Sequence, residues 1–278
     1  MDVLRYAAFT ADADGGNPAG VVLDATALSA AEMAECAAEV GFSETAFVTS
    51  DGGDDLRVRY FSPRVEVPFC GHATIATAVA HARLHGTGDL TFHTRAGRIP
   101  VRTDVDATGH VVATLTSVPP RCVDLPERQR DALLSVLGWD PSELDPALPA
   151  RVAYAGAWHP VLAAASRERL AGLDYDMGRL TDLMNGHGWV TVHLVWRESP
   201  EVFHARNPFP TGGVFEDPAT GAAAAAFGGY LREQKLVTPP ARVTVFQGED
   251  MGRPSTITVT IPPGSDEGIS VTGTAVPM

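Results

Sequence analysis

Two runs of small residues constrain this chain more than any other feature. The first, Ala73-Thr74-Ile75-Ala76-Thr77-Ala78-Val79-Ala80, offers nothing more polar than a hydroxyl on any face. The second, Ala222 to Ala226, opens a helix that reaches about Gln234. A helix that is apolar all round must be buried. Small side chains also let surrounding strands come close. β-rich segments flank each run, so the pattern predicts an α+β protein in which a sheet curls around a central helix, twice. Alternating βαβ units on a parallel sheet fit it less well.

The flanking segments support that reading. In the first half, Val3–Phe9, Ala19–Leu23, Glu44–Ser50, Leu56–Phe61, Leu90–Thr94, Gly97–Arg102 and Val111–Thr116 read as strands. Gly15-Gly16-Asn17-Pro18 and Asp51-Gly52-Gly53-Asp54 read as turns. Ser29 to Val40 reads as a helix, with Ser29 as cap and Glu32 completing a capping box. Val118-Pro119-Pro120 is a hinge, and the pattern then restarts. Pro126–Leu137 and Met177–Asn185 read as helices; Arg151–Tyr154, His159–Ala164, Trp189–Trp196, Arg242–Gln247 and Thr256–Ile261 read as strands, with a last one near Ile269–Ala275. The expected lobes are residues 1–117 and 118–278, with the last strand free to pack on the first lobe.

Composition narrows the function classes. With 21 Lys and Arg against 34 Asp and Glu, the net charge is −13. Such a surface repels nucleic acid and anionic membranes, while a local positive site could still bind a small acid. Three cysteines, Cys36, Cys70 and Cys122, give neither a disulfide framework nor a CxxC zinc pattern. Their use fits a reducing, cytoplasmic compartment. The N-terminus lacks the basic and apolar regions of a signal peptide, and no uninterrupted apolar stretch of about 20 residues is present.

Two loops carry chemistry-bearing residues. Cys70-Gly71-His72-Ala73-Thr74 and Asp217-Pro218-Ala219-Thr220-Gly221-Ala222 each lead into one of the small-residue helices. The first amides of a helix lack internal partners and carry the positive end of its dipole, which suits a carboxylate or a developing enolate. The plainer reading is two capped helices, with Thr220 or Asp217 as the cap. At a helix start the imidazolium of His72 is disfavoured, leaving a neutral ring that can donate or accept a hydrogen bond. Glu44 begins an otherwise apolar strand, Glu44-Thr45-Ala46-Phe47-Val48, where a carboxylate is partly withdrawn from water, as a general acid/base needs. Each residue could equally be a structural or surface group. No Gly-x-Ser-x-Gly elbow, P-loop or dinucleotide fingerprint occurs. His81 and His85 lack the glutamate of a His-Glu-x-x-His zinc motif and read as helix-end residues. No metal and no cofactor are expected.

Five segments, in order, resemble the PhzF-like (phenazine biosynthesis-like) family, relatives of diaminopimelate epimerase. They are Phe9-Thr10 with Gly16-Asn17-Pro18-Ala19; Gly41-Phe42-Ser43-Glu44-Thr45-Ala46-Phe47; Phe61-Ser62-Pro63 with Glu66 to Thr74; Glu216 to Gly221; and Gln247-Gly248 with Met251-Gly252-Arg253-Pro254-Ser255. The resemblance implies two similar lobes, an active site between them, a homodimer and a cofactor-independent isomerase. It implies Glu44 as acid/base, His72 and Asp217 as catalytic partners, and Asn17, Cys70, Gly71, Gly221 and Ala222 as substrate-binding positions. The namesake activity moves a proton in a dihydro-hydroxyanthranilate. Racemase relatives use two cysteines; Cys70 fills the first position, but Pro218 stands at the second. The serine common after the Thr-Gly pair is Ala222 here. An epimerase using Glu44 and Cys70, and an inactive ligand-binding member, are therefore the alternatives.

Overall fold

The computed structural model describes residues 2–50 and 53–278. The chain divides into two compact units, residues 1–116 with 272–278, and residues 117–271. In the turn cluster expected at 51–54, Asp51 and Gly52 lie outside the described residues.

The first unit contains β1 (Leu4–Ala8), β2 (Asn17–Val22), α1 (Ala30–Val40), β3 (Glu44–Val48), β4 (Asp55–Phe61), β5 (Glu66–Val67), α2 (Gly71–His85), β6 (Asp89–Thr94), β7 (Gly97–Val105) and β8 (Val111–Thr116). Pairing runs β1–β2 antiparallel, β2–β3 parallel, β3–β4 antiparallel, β4–β6 parallel, then β6–β7–β8 antiparallel. The C-terminal strand (Ser270–Pro277) pairs with both β8 and β1 and closes the ring into an 8-strand barrel. Helix α2 fills it, packed on β1, β2, β3, β7 and β8. Every residue from His72 to Ala82 is buried, because Ala and Thr leave no bulk to hold the strands apart. Ser29 caps α1 in a capping box, and Met33, Cys36 and Ala37 cover Val22, Phe47 and Phe61 on the barrel exterior.

The second unit repeats the plan. It holds β9 (Arg121–Asp124), α3 (Glu127–Leu137), β10 (Arg151–Tyr154), β11 (Trp158–Ala163), α4 (Arg167–Ala171), α5 (Met177–His187), β12 (His193–Ser199), β13 (Val202–Pro208), β14 (Glu216–Asp217), α6 (Gly221–Glu233), β15 (Ala241–Gln247) and β16 (Ser255–Ile261). The sequence β10–β11 antiparallel, β11–β12 parallel, β12–β13 antiparallel, β13–β15 parallel, β15–β16 antiparallel matches that of β1 to β7. β9 pairs with β10, and α6 packs on β9, β10, β11 and β16. Gly228 shows why α6 is so thin. A Cβ there would lie 2.7 Å from Val259 and 2.8 Å from Ile269, closer than carbon atoms approach. On the outside, Leu133, Leu134, Leu137, Leu180 and Met184 of α3 and α5 cover Val152, Leu162 and Leu194.

Some elements differ from expectation. Asn17 and Pro18 belong to β2 rather than to the preceding turn. Trp189 to Val192 precede β12, which begins at His193. His81 is buried inside the barrel, unlike an end residue, and burial lowers its pKa. The two-residue strands β5 and β14 were not visible in the sequence. Each pairs antiparallel with the preceding long strand and aims the chain at its central helix.

Candidate active site

In the first unit, Glu44 is the first residue of β3 and pairs in register with Ala19 of β2. Asn17 begins β2, two residues away, and is buried. Cys70 is the N-cap of α2 and contributes no side-chain cap. The helix start is instead held from below. Thr74 Oγ1 donates to Cys70 O at 2.7 Å and lies 2.6 Å from the Tyr60 hydroxyl. Tyr60 is fully buried, which raises its phenol pKa and keeps it protonated.

This scaffold brings three reactive groups together. The Cys70 thiol donates to Glu44 Oε2 at 3.5 Å and lies 3.4 Å from His72 Nδ1. His72 Nε2 lies 3.5 Å from Glu44 Oε2 and 3.3 Å from Ser43 Oγ. The His72 side chain is 7% exposed and the Glu44 side chain 17%. Glu44 is thus the member of the trio most open to a ligand, with the thiol and imidazole behind it. Gly71 begins α2, and a Cβ added there would meet no atom within 4 Å, so its backbone is approachable.

In the second unit, Asp217 ends β14 and is buried. Thr220 is the N-cap of α6, yet its hydroxyl does not cap the helix; it donates to Asp217 Oδ2 at 2.5 Å. Thr220 therefore holds the N-cap position as expected but without a side-chain cap. Gln247 holds this loop from β15. Its Nε2 donates to Asp217 O at 2.7 Å, and its Oε1 accepts from Thr220 N at 3.2 Å. Gly248, with φ 78°, follows because a Cβ there would press on Arg253 O and reach 2.8 Å from Pro218 O. Asn207 sits 3.1 Å from Gln247 and 2.9 Å from His193 Nδ1. Turning its Nδ2 toward His193 Nδ1 and Val192 O satisfies both, whereas the opposite orientation sets Oδ1 against that carbonyl. Gly221 and Ala222 form the first residues of α6.

The sequence does not assign Ser43, Tyr60, His193 or Gln247 to a site. Gln247 carried a signal in the Gln247-Gly248 motif, but its partners come from three separate elements. The repeat of pairing places His193 at the start of β12 as Glu44 is at the start of β3. The Arg206–Glu216 pair likewise repeats Arg59–Glu66. A cavity of ≈ 470 Å³ beside β1 and α1, lined by Arg5, Cys36 and Glu39, contains none of the trio. It lacks their paired acid/base groups, so the trio is the stronger chemical candidate.

The family model for phenazine biosynthesis-like proteins matches residues 6–278. The chain belongs to the phenazine biosynthesis-like family. An uncharacterized isomerase of Deinococcus radiodurans is 37% identical over 93% of this chain and 87% of its own. The trans-2,3-dihydro-3-hydroxyanthranilate isomerase of Pseudomonas aeruginosa is 31% identical over 89% of this chain and 86% of its own. Among solved structures, a PhzF-family phenazine biosynthesis protein of Bacillus anthracis superposes with a TM-score of 0.89 at 28% identity, covering 100% of this chain and 98% of that one. A probable proline racemase of Agrobacterium radiobacter shares the fold, with a TM-score of 0.65 at 12% identity over 99% and 90% of the two chains. The chain is therefore an isomerase of the phenazine biosynthesis-like family with the diaminopimelate epimerase-like fold. Among the described residues, no helix is long and apolar enough to cross a membrane.

Proposed function

We propose that the protein moves a proton within a small carboxylic acid of the dihydro-hydroxyanthranilate type, without a cofactor, using Glu44 as general acid/base. The grouping of Glu44, Cys70 and His72 at the start of α2 carries this reading. A single carboxylate can take a proton from one carbon and return it to another on the same face, and a positioned acid/base group contributes about 10²–10⁴-fold. His72 and the positive end of α2 stabilise the negative charge that develops between the two transfers. Asp217, fixed by Thr220 and Gln247, is assigned a catalytic part in the same reaction. Asn17, Gly71, Cys70, Gly221 and Ala222 are assigned to substrate binding.

The spacing favours a proton shift over racemisation. Two bases that flank a carbon from opposite faces stand about 6–7 Å apart, since each reacting contact is about 3–3.5 Å. Glu44 and Cys70 are 3.5 Å apart, so no carbon fits between them. The P. aeruginosa relative supplies the substrate class by its name. A homodimer in the cytoplasm belongs to the same reading and rests on the family likeness; light scattering tests the dimer.

The direct trial is incubation of the purified chain with trans-2,3-dihydro-3-hydroxyanthranilate in D₂O, followed by proton NMR. Conversion with no added metal, nucleotide or flavin is expected. Failure to convert this and other dihydroaromatic carboxylates refutes the substrate class. Conversion only after a cofactor is added refutes cofactor independence.

A further inference from the structure

The trio that serves as acid/base centre also has the makings of a soft-metal site. Carboxylate, thiol and imidazole donor atoms of Glu44, Cys70 and His72 all lie within 4.8 Å of one another. Their separations are 3.5 Å for Sγ to Oε2, 3.5 Å for Nε2 to Oε2, and 3.8 Å for Sγ to Nε2. Tetrahedral zinc, with bonds of about 2.0–2.3 Å to these donors, has edges of about 3.3–3.8 Å, since a tetrahedral edge is about 1.63 times the bond. Small side-chain rotations therefore bring all three donors onto one ion. Three protein ligands leave the fourth position to water or to an incoming carboxylate, the pattern of open zinc sites.

We propose that Glu44, Cys70 and His72 bind one zinc-class divalent cation. Binding breaks the Cys70 S–H bond; the sulfur keeps the electron pair and gives it to the metal, and the proton passes to solvent. No redox change occurs. On the reading of Glu44 as the acid/base, the ion ties up that carboxylate and inhibits the isomerase. The site is thus a point of zinc inhibition rather than a cofactor site. Neither Cys36 nor Cys122 competes. Burial raises the pKa of each, to about 12 for Cys122, and among the described residues neither belongs to such a cluster.

The test begins with full-length protein dialysed against chelator and titrated with zinc by calorimetry in buffers of different ionisation enthalpy. One equivalent with proton release is expected. Cobalt in its place should give a near-ultraviolet thiolate-to-metal band. Cys70→Ser should abolish the band, and Glu44→Gln and His72→Gln should each weaken binding at least about tenfold. Cys36→Ser and Cys122→Ser should change neither. Should a site variant fail to fold, the wild type answers by itself: zinc must slow alkylation of Cys70, read by peptide mass spectrometry. Absence of stoichiometric binding, binding undiminished in Cys70→Ser, or alkylation unaffected by zinc overturns the site. Zinc that binds here without inhibiting turnover leaves the site standing and refutes the acid/base assignment of Glu44 instead.

Discussion

Two buried histidines in the second unit make its stability depend on pH in a way that can be calculated. His159 and His193 are fully buried. His159 Nδ1 lies 2.8 Å from Thr191 Oγ1, and His193 Nδ1 lies 2.9 Å from Asn207. Burial holds their pKa values down, to about 3 for His159, where His193 adds repulsion, and to about 4 for His193. In the unfolded chain both titrate near 6.5. The unfolded state therefore binds more protons between these values, and stability falls as pH drops from about 6.5 toward 4 and 3. At pH 5, about 1.5 units below the unfolded pKa, each histidine costs about 2 kcal/mol at 1.36 kcal/mol per unit. The pair costs about 4 kcal/mol relative to pH 7.5. That total changes little with the folded values as long as both stay well below 5. All four tryptophans, Trp139, Trp158, Trp189 and Trp196, lie in the second unit, so urea unfolding followed by tryptophan fluorescence reads the right part of the molecule. The wild-type midpoint should fall by roughly 1–2 M urea between pH 7.5 and pH 5. In the double variant His159→Gln/His193→Gln most of that fall should vanish, whatever its stability at pH 7.5. An equal fall in wild type and double variant refutes the reasoning.

The two repeated ion pairs should respond differently. Arg206 and Glu216 have side chains 8% and 3% exposed, so Arg206→Ala strands a buried carboxylate and should cost about 3–5 kcal/mol. The equivalent Arg59→Ala, at a side chain 32% exposed, should cost under about 1 kcal/mol; thermal or urea denaturation ranks them. Gly228→Ala should destabilise by about 1–3 kcal/mol, because the methyl collides with Val259 and Ile269. Gln247→Leu removes the partners of Thr220 N and Asp217 O. It should lower kcat with the fold retained, as judged by near-ultraviolet circular dichroism, and unchanged kcat would show that the loop stands without it.

The parts of the architecture written in local chemistry were legible. The all-small helices α2 and α6 could only be buried, and Ser29 with Glu32 marked the start of α1. What escaped was set by tertiary pairing. β5 and β14 are two residues long and exist because β4 and β13 present open edges to them. Asn17-Pro18 looks like a turn in isolation and becomes strand because Ala8 and Ala7 pair with it. In the site, Glu44, Cys70 and His72 stood out as reactive types at a strand start and a helix start, and register then set them in contact. Asn207, His193 and Gln247 were not legible as a group, since ordinary polar residues from β13, β12 and β15 acquire a role only when the sheet aligns them.

The proposed proton shift depends most on Glu44 carrying the proton. Turnover of trans-2,3-dihydro-3-hydroxyanthranilate by Glu44→Gln, measured beside ligand affinity for the same variant, tests it directly. The prediction is a kcat lowered by about 10²–10⁴-fold with affinity close to that of the wild type. A Glu44→Gln enzyme that binds and turns over at near wild-type rate would contradict it.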